Sequence, residues 1–157
     1  MRFTHEIGLG TKNVPRSNIG ASFIKNAIKK GYRYIATSPS YRNEKEIGRG
    51  IANSRIDRRE LFVTSYVYID AVKDTHQFVI DTVLTSLKNL RLDYLDLILI
   101  HSYDCKDVKD MWEFISEAYD TDLNQKVMYI GVFNYDIKRL QMILGGEKKN
   151  HMQIALN

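Results

Sequence analysis

The chain has 157 residues, 44% of them hydrophobic and 27% charged, with a formal net charge of +4. That length and balance suit one globular domain with a buried core and exclude an extended, highly charged disordered chain. No apolar run approaches the ~18 residues a membrane-spanning helix needs, and the charge is too dispersed for a nucleic-acid footprint.

The first residues carry no basic stretch followed by an apolar one, so no export signal is expected. Gly8-Leu9-Gly10-Thr11 is too short for the glycine-rich phosphate loop of a dinucleotide-binding doubly wound fold. After Ser17, residues 19–28 read as a helix with Phe23, Ala27 and Ile28 on one face, stopped by Gly31. Residues 32–37 follow as a strand. Asn43 is placed to cap a helix through Glu44, Ile47 and Ile51. Arg55, Arg58 and Arg59 read as a solvated basic loop. Residues 61–67 form a second strand, rich in β-branched and aromatic residues.

Residues 75–90 carry the strongest helical stripe, through Phe78, Val79, Val83, Leu87 and Leu90. Residues 94–100 are nearly all apolar, as in a parallel strand buried on both faces. Cys105 is the only cysteine, so no internal disulfide is available, and the expected location is cytoplasmic. A helix over 110–119, a strand over 128–133 and a helix over 136–144 ended by Gly145-Gly146 complete the alternation. Lys148, Lys149 and His151 form a second small basic group, and a last strand runs over 152–156. The strict β-α-β-α order requires a parallel sheet with right-handed crossovers. Periodicity alone leaves a doubly wound sheet and a barrel equally open.

Four ordered segments carry a resemblance. They are Ile7-Gly-Leu-Gly-Thr11; Gly31-Tyr-Arg-Tyr-Ile35 with Tyr41-Arg-Asn-Glu44 and Ile47-Gly48; Ser86-Leu87 with Leu92-Asp-Tyr-Leu-Asp-Leu97 and Ile100-His101; and Ile130-Gly-Val-Phe-Asn-Tyr135. Together they resemble the aldo-keto reductases over nearly the whole chain. The resemblance implies an α/β fold of the TIM (β/α)8 type, with the active site at the C-terminal ends of the strands. It also implies one incomplete barrel domain over residues 1–157, C-terminally truncated to about six β/α units.

The family reduces small carbonyl compounds by hydride transfer from NADPH. A tyrosine donates the proton, a lysine paired with an aspartate lowers that tyrosine's pKa, and a histidine orients the carbonyl. An unperturbed phenol titrates near about 10, so the cation matters. By resemblance, Tyr41 holds the tyrosine position and His101 the histidine position. Ala36 stands where the family has aspartate, and Tyr66 where it has lysine. Losing both charges together is coherent, because either alone would leave a buried unpaired charge costing roughly 3–5 kcal/mol. Lys12 and Arg42 are the nearest cations by sequence, and neither holds the matching strand-end position.

Thr11, Asn134 and Asn157 are the candidate cofactor contacts, while Phe133 replaces a serine that helps hold the nicotinamide carboxamide. The family's phosphate contacts come largely from strands beyond those found here, so NADP(H) binding is expected to be weak or absent. Six strands of a barrel leave two edges, which predicts self-association or a second chain completing the barrel. Trp112, Tyr66, Tyr68 and Tyr103 are candidates for lining an apolar pocket; no metal site is expected. Three functional readings stay open: an oxidoreductase by descent with impaired or absent turnover, a non-catalytic binding or regulatory module (a pseudoenzyme), and a nonfunctional gene fragment.

Overall fold

The computed structural model describes residues 7–68, 76–101 and 108–144, together with the backbone of 152–155. Strand and helix alternate as the sequence pattern requires. The strands are β1 (Gly8–Gly10), β2 (Tyr34–Thr37), β3 (Phe62–Tyr68), β4 (Leu95–His101), β5 (Val127–Phe133) and β6 (Met152–Ala155). The helices are α1 (Asn18–Lys29), α2 (Glu44–Ser54), α3 (His76–Leu90), α4 (Val108–Ala118) and α5 (Ile137–Leu144). A five-residue π-helical turn, Tyr119–Leu123, extends α4.

All strand pairings are parallel, and the sheet order is β1-β2-β3-β4-β5-β6. This order decides what periodicity left open. A doubly wound sheet reverses its strand order at a switch point, whereas consecutive units laid side by side follow the order of a (β/α) barrel.

Strand alternation sends each sheet face to a different environment. Val63, Val67, Ile98, Ile100, Ile130 and Val132 meet the helices in the main core, against Ile24, Ile28, Ile47, Val79, Met111 and Ile115. The opposite, inner face gathers Phe62, Leu97 and Leu99 with Tyr34, Tyr66, Tyr129 and Phe133. The inner face is thus largely aromatic and only partly covered.

Several sequence expectations need correction. Phe23 and Phe78 are exposed, at 49% and 40%, rather than facing the core. On α1 the buried side is Gly20, Ala21, Ile24, Ala27 and Ile28, which places Ile19 and Phe23, one turn apart, outward. Asn43 makes no side-chain cap on α2. Instead its Nδ2 donates to Thr11 O (2.8 Å) and Val14 O (3.0 Å), tying the segment after β1 to the start of α2.

The arginine loop is not uniformly solvated either. Arg58 lies beneath β3 and β4, donating to Leu61 O, Tyr94 O and Asp96 Oδ2 at 2.8, 2.9 and 2.7 Å. Its guanidinium sits 3.9 Å from the centre of the Tyr94 ring. The Lys148–Lys149–His151 group and Cys105 lie outside the described residues. Gly31 does end α1, with φ at +104°, a left-handed conformation that glycine adopts without strain.

Candidate active site

The candidate site lies where the C-terminal ends of β2 to β5 converge. Ala36 is on β2, paired with Thr64 of β3, and Tyr66 follows two residues later on the same face. Past β2 the chain turns through a short 3-10 segment, Pro39–Tyr41, whose start is held by Ser38: its hydroxyl donates to Tyr66 O (2.8 Å). Arg42 leaves this turn in the left-handed conformation (φ 56°). Tyr41 is thereby positioned beside the end of β3.

Register does the rest. Tyr68 pairs with His101, and His101 with Phe133. The Tyr68 and His101 rings lie 4.8 Å apart, His101 and Phe133 5.3 Å, and Phe133 and Tyr66 4.9 Å. The Tyr68 hydroxyl lies close enough to the Tyr41 phenol to act on it. Tyr41 and His101 are therefore brought to the same rim, joined through Tyr68, in a continuous aromatic run that ends on Tyr66.

The electrostatics of this run favour neutral groups. Burial, then the neighbouring Tyr68 hydroxyl, push the Tyr41 phenol above the ordinary tyrosine range. Burial and the surrounding tyrosines Tyr34, Tyr41 and Tyr68 push Tyr66 up to about 12. Burial holds the His101 imidazole below its ordinary value, so its neutral form is favoured. Lys12 and Arg42 are exposed, and neither is among the groups acting on Tyr41.

The candidate cofactor contacts are placed less favourably. Thr11 is fully buried, and its hydroxyl donates to Ala36 O at 3.0 Å. Asn134 is exposed just past β5, in the left-handed conformation (φ 62°). Asn157 lies outside the described residues, as does Tyr103. Trp112 does not line the rim; it is buried in the main core on α4, on the helical side of the sheet. The contribution of Tyr68 to Tyr41 was the feature hardest to anticipate, although the period-2 spacing of Tyr66 and Tyr68 already puts both on one face.

Residues 6–157 match the Aldo/keto reductase family. The chain belongs to that family. It is 37% identical to a glyoxal reductase of Bacillus subtilis over 137 residues, covering 87% of this chain and 48% of that protein. It is 31% identical to the methylglyoxal reductase DkgB of Salmonella typhi, covering 92% and 53%. Among solved structures, it resembles MGS-M4, an aldo-keto reductase from a deep-sea metagenome library, with a TM-score of 0.79 and 34% identity over 96% of this chain and 53% of that one. The aldose reductase of Schistosoma japonicum gives a TM-score of 0.77 at 31% identity, covering 94% of this chain and 56% of that one. The chain spans about half the length of the relatives it matches. The family generally uses NADP(H) and acts on small carbonyl compounds. No helix among the described residues is long and apolar enough to cross a membrane.

Proposed function

We propose that this chain is an aldo-keto reductase-like, NADP(H)-dependent oxidoreductase by descent, one incomplete barrel domain in the cytoplasm, in which carbonyl reduction is impaired or lost. The observation that carries this reading is the environment of Tyr41. Its resolved perturbations come from burial and a second phenol, and all of them raise its pKa. A proton donor to a developing alkoxide works best when a nearby cation lowers its pKa toward the working pH. Here the position matched to the family's lysine holds Tyr66, itself neutral, and the position matched to its aspartate holds Ala36. His101 remains suited to orient a carbonyl oxygen, but orientation alone leaves the proton transfer unassisted.

The residues present do not fit firm NADP(H) binding. The Thr11 hydroxyl is committed to Ala36 O, and the Phe133 ring packs on Tyr66 where a small polar side chain would otherwise face the cofactor. Binding is accordingly weak or absent, and no step is routed through the cofactor.

The test is a fluorescence titration of the purified chain with NADPH, paired with a methylglyoxal-dependent NADPH oxidation assay and a size-exclusion profile. The Bacillus subtilis glyoxal reductase serves as the active control. Weak or unsaturable binding without turnover is the expected result. Turnover approaching that of the control overturns the reading.

A further inference from the structure

Glu44 is a buried carboxyl group that the site chemistry does not use. It opens α2, is 2% exposed, and faces α3 rather than solvent. Its Oε2 accepts from Asn89 Nδ2 at 3.2 Å. Its Oε1 is buried without a hydrogen-bond partner, and so is the Ser86 hydroxyl, although Ser86 lies close enough to act on Glu44. The burial has a cause in the packing. Gly48, one turn along α2, sits so close to the end of α3 that an added Cβ would lie 2.3 Å from Leu90 O, leaving little room for water between the helices.

Among the described residues, no cation is found acting on this carboxyl group. From α3 the groups facing it are Asn89 and Ser86, both neutral. From α1, Asn18 accepts from Arg49 rather than approaching Glu44. On α2 itself Lys45 is exposed, and Glu46 pairs with Arg49 at 3.2 Å. In the preceding segment Arg42 is exposed, and neither it nor Tyr41 is among the groups acting on Glu44.

We propose that Glu44 is a proton-linked latch between α2 and α3, closed when its carboxyl group is un-ionised and loosened when it ionises. As the acid, Glu44 carries no buried charge and can turn its proton toward Ser86 Oγ while Asn89 still donates to the other oxygen. As the carboxylate it faces two neutral donors and, among the described residues, no cation, an expensive arrangement in a buried setting. The latch acts on the site because Glu44 directly follows Asn43, the tie to Thr11 and Val14, and lies three residues beyond Tyr41.

The sign follows from burial, which raises the folded-state pKa and outweighs Asn89 and Ser86, both of which lower it. Stability from the latch is fully present below the unfolded pKa and is lost as pH rises through the folded value. This inference does not depend on whether the chain turns over a carbonyl substrate.

The test compares the full chain with Glu44→Gln, which keeps the shape and cannot ionise. Melting temperatures are followed from about pH 5 to about pH 8, with limited trypsin cleavage at exposed Arg42 measured in parallel. The native chain is expected to lose several degrees relative to E44Q as pH rises, with the ratio of its cleavage rate to that of E44Q increasing together. Parallel melting curves or a constant cleavage ratio overturns the latch. Should E44Q fail to fold, infrared spectroscopy of the native chain decides. An un-ionised carboxyl band persisting above the pH at which exposed carboxylates ionise is expected, and its absence overturns the proposal.

Discussion

Replacing Asp96 by alanine removes the brace that joins β3 and β4 beneath the site. The Asp96 Oδ2 atom accepts from Arg58 Nη2 at 2.7 Å and from the Val63 amide at 2.8 Å, with side-chain exposures of 9% for Asp96 and 18% for Arg58. Removing one partner of a buried pair costs about 3–5 kcal/mol, because the other charge stays behind. Arg58 retains the carbonyls of Leu61 and Tyr94 and the face of the Tyr94 ring, and some water reaches it. The lower end applies, about 3 kcal/mol including the orphaned Val63 N–H. For a chain of this size that corresponds to a fall in Tm of about 6–12 °C.

Urea unfolding followed by circular dichroism reads the loss, with an unchanged m-value showing that the folded state is otherwise intact. The asymmetry of the pair supplies a sharper check. In an Arg58→Met, Asp96→Leu double variant no charge is left unmatched, so its loss is expected to be smaller than the sum of the single losses. A loss below about 1 kcal/mol for D96A, or strict additivity in the double variant, would refute the reasoning.

Tyr68→Phe removes the hydroxyl that raises Tyr41, so the Tyr41 phenol is expected to titrate lower, though still above its ordinary value because burial is the largest cause. Phenolate absorbance, differenced against Tyr41→Phe, measures it. Asn43→Ala strips a donor from the Val14 carbonyl, while Thr11 O keeps the Val14 N–H. A loss of about 2 kcal/mol is expected by thermal melting. Ala36→Asp with Tyr66→Lys, introduced into a chain extended by the remaining strands of a relative, is expected to restore NADPH-dependent carbonyl reduction. No gain over the extended parent would count against the assignment of these two positions.

Much of the architecture was legible because it rests on local patterns. The alternation of β-branched runs with amphipathic stretches locates the helices and β2 to β6 to within a few residues, since backbone hydrogen bonding and burial act on neighbouring residues, whereas the short, glycine-bounded β1 carries no such pattern. The ordered motifs around Tyr41, His101 and Asn134 identify the family for the same reason, as fixed spacings along one chain. The proposal that Ala36 and Tyr66 stand in place of a charged pair rests on the same fixed spacings. The faces of helices were read less well. Phe23 and Phe78 looked like core residues because hydrophobicity alone does not say which of two apolar sides meets the sheet.

Tertiary structure decided the relations between distant residues. Strand order, which separates a barrel's succession from a doubly wound sheet, depends on which edges pair and leaves no local trace. The ring contacts from Tyr68 through His101 to Phe133 and Tyr66 arise from cross-strand register, while the approach of Tyr41 to Tyr68 and the pairing of Arg58 with Asp96 depend on how the segments before α2 and β3 fold back on the sheet. Glu44 reads in sequence as an ordinary first-turn acid favoured by the helix dipole. Only the close approach of α3 at Gly48 makes it a buried carboxyl group, because desolvation depends on what packs across a residue rather than on what precedes it.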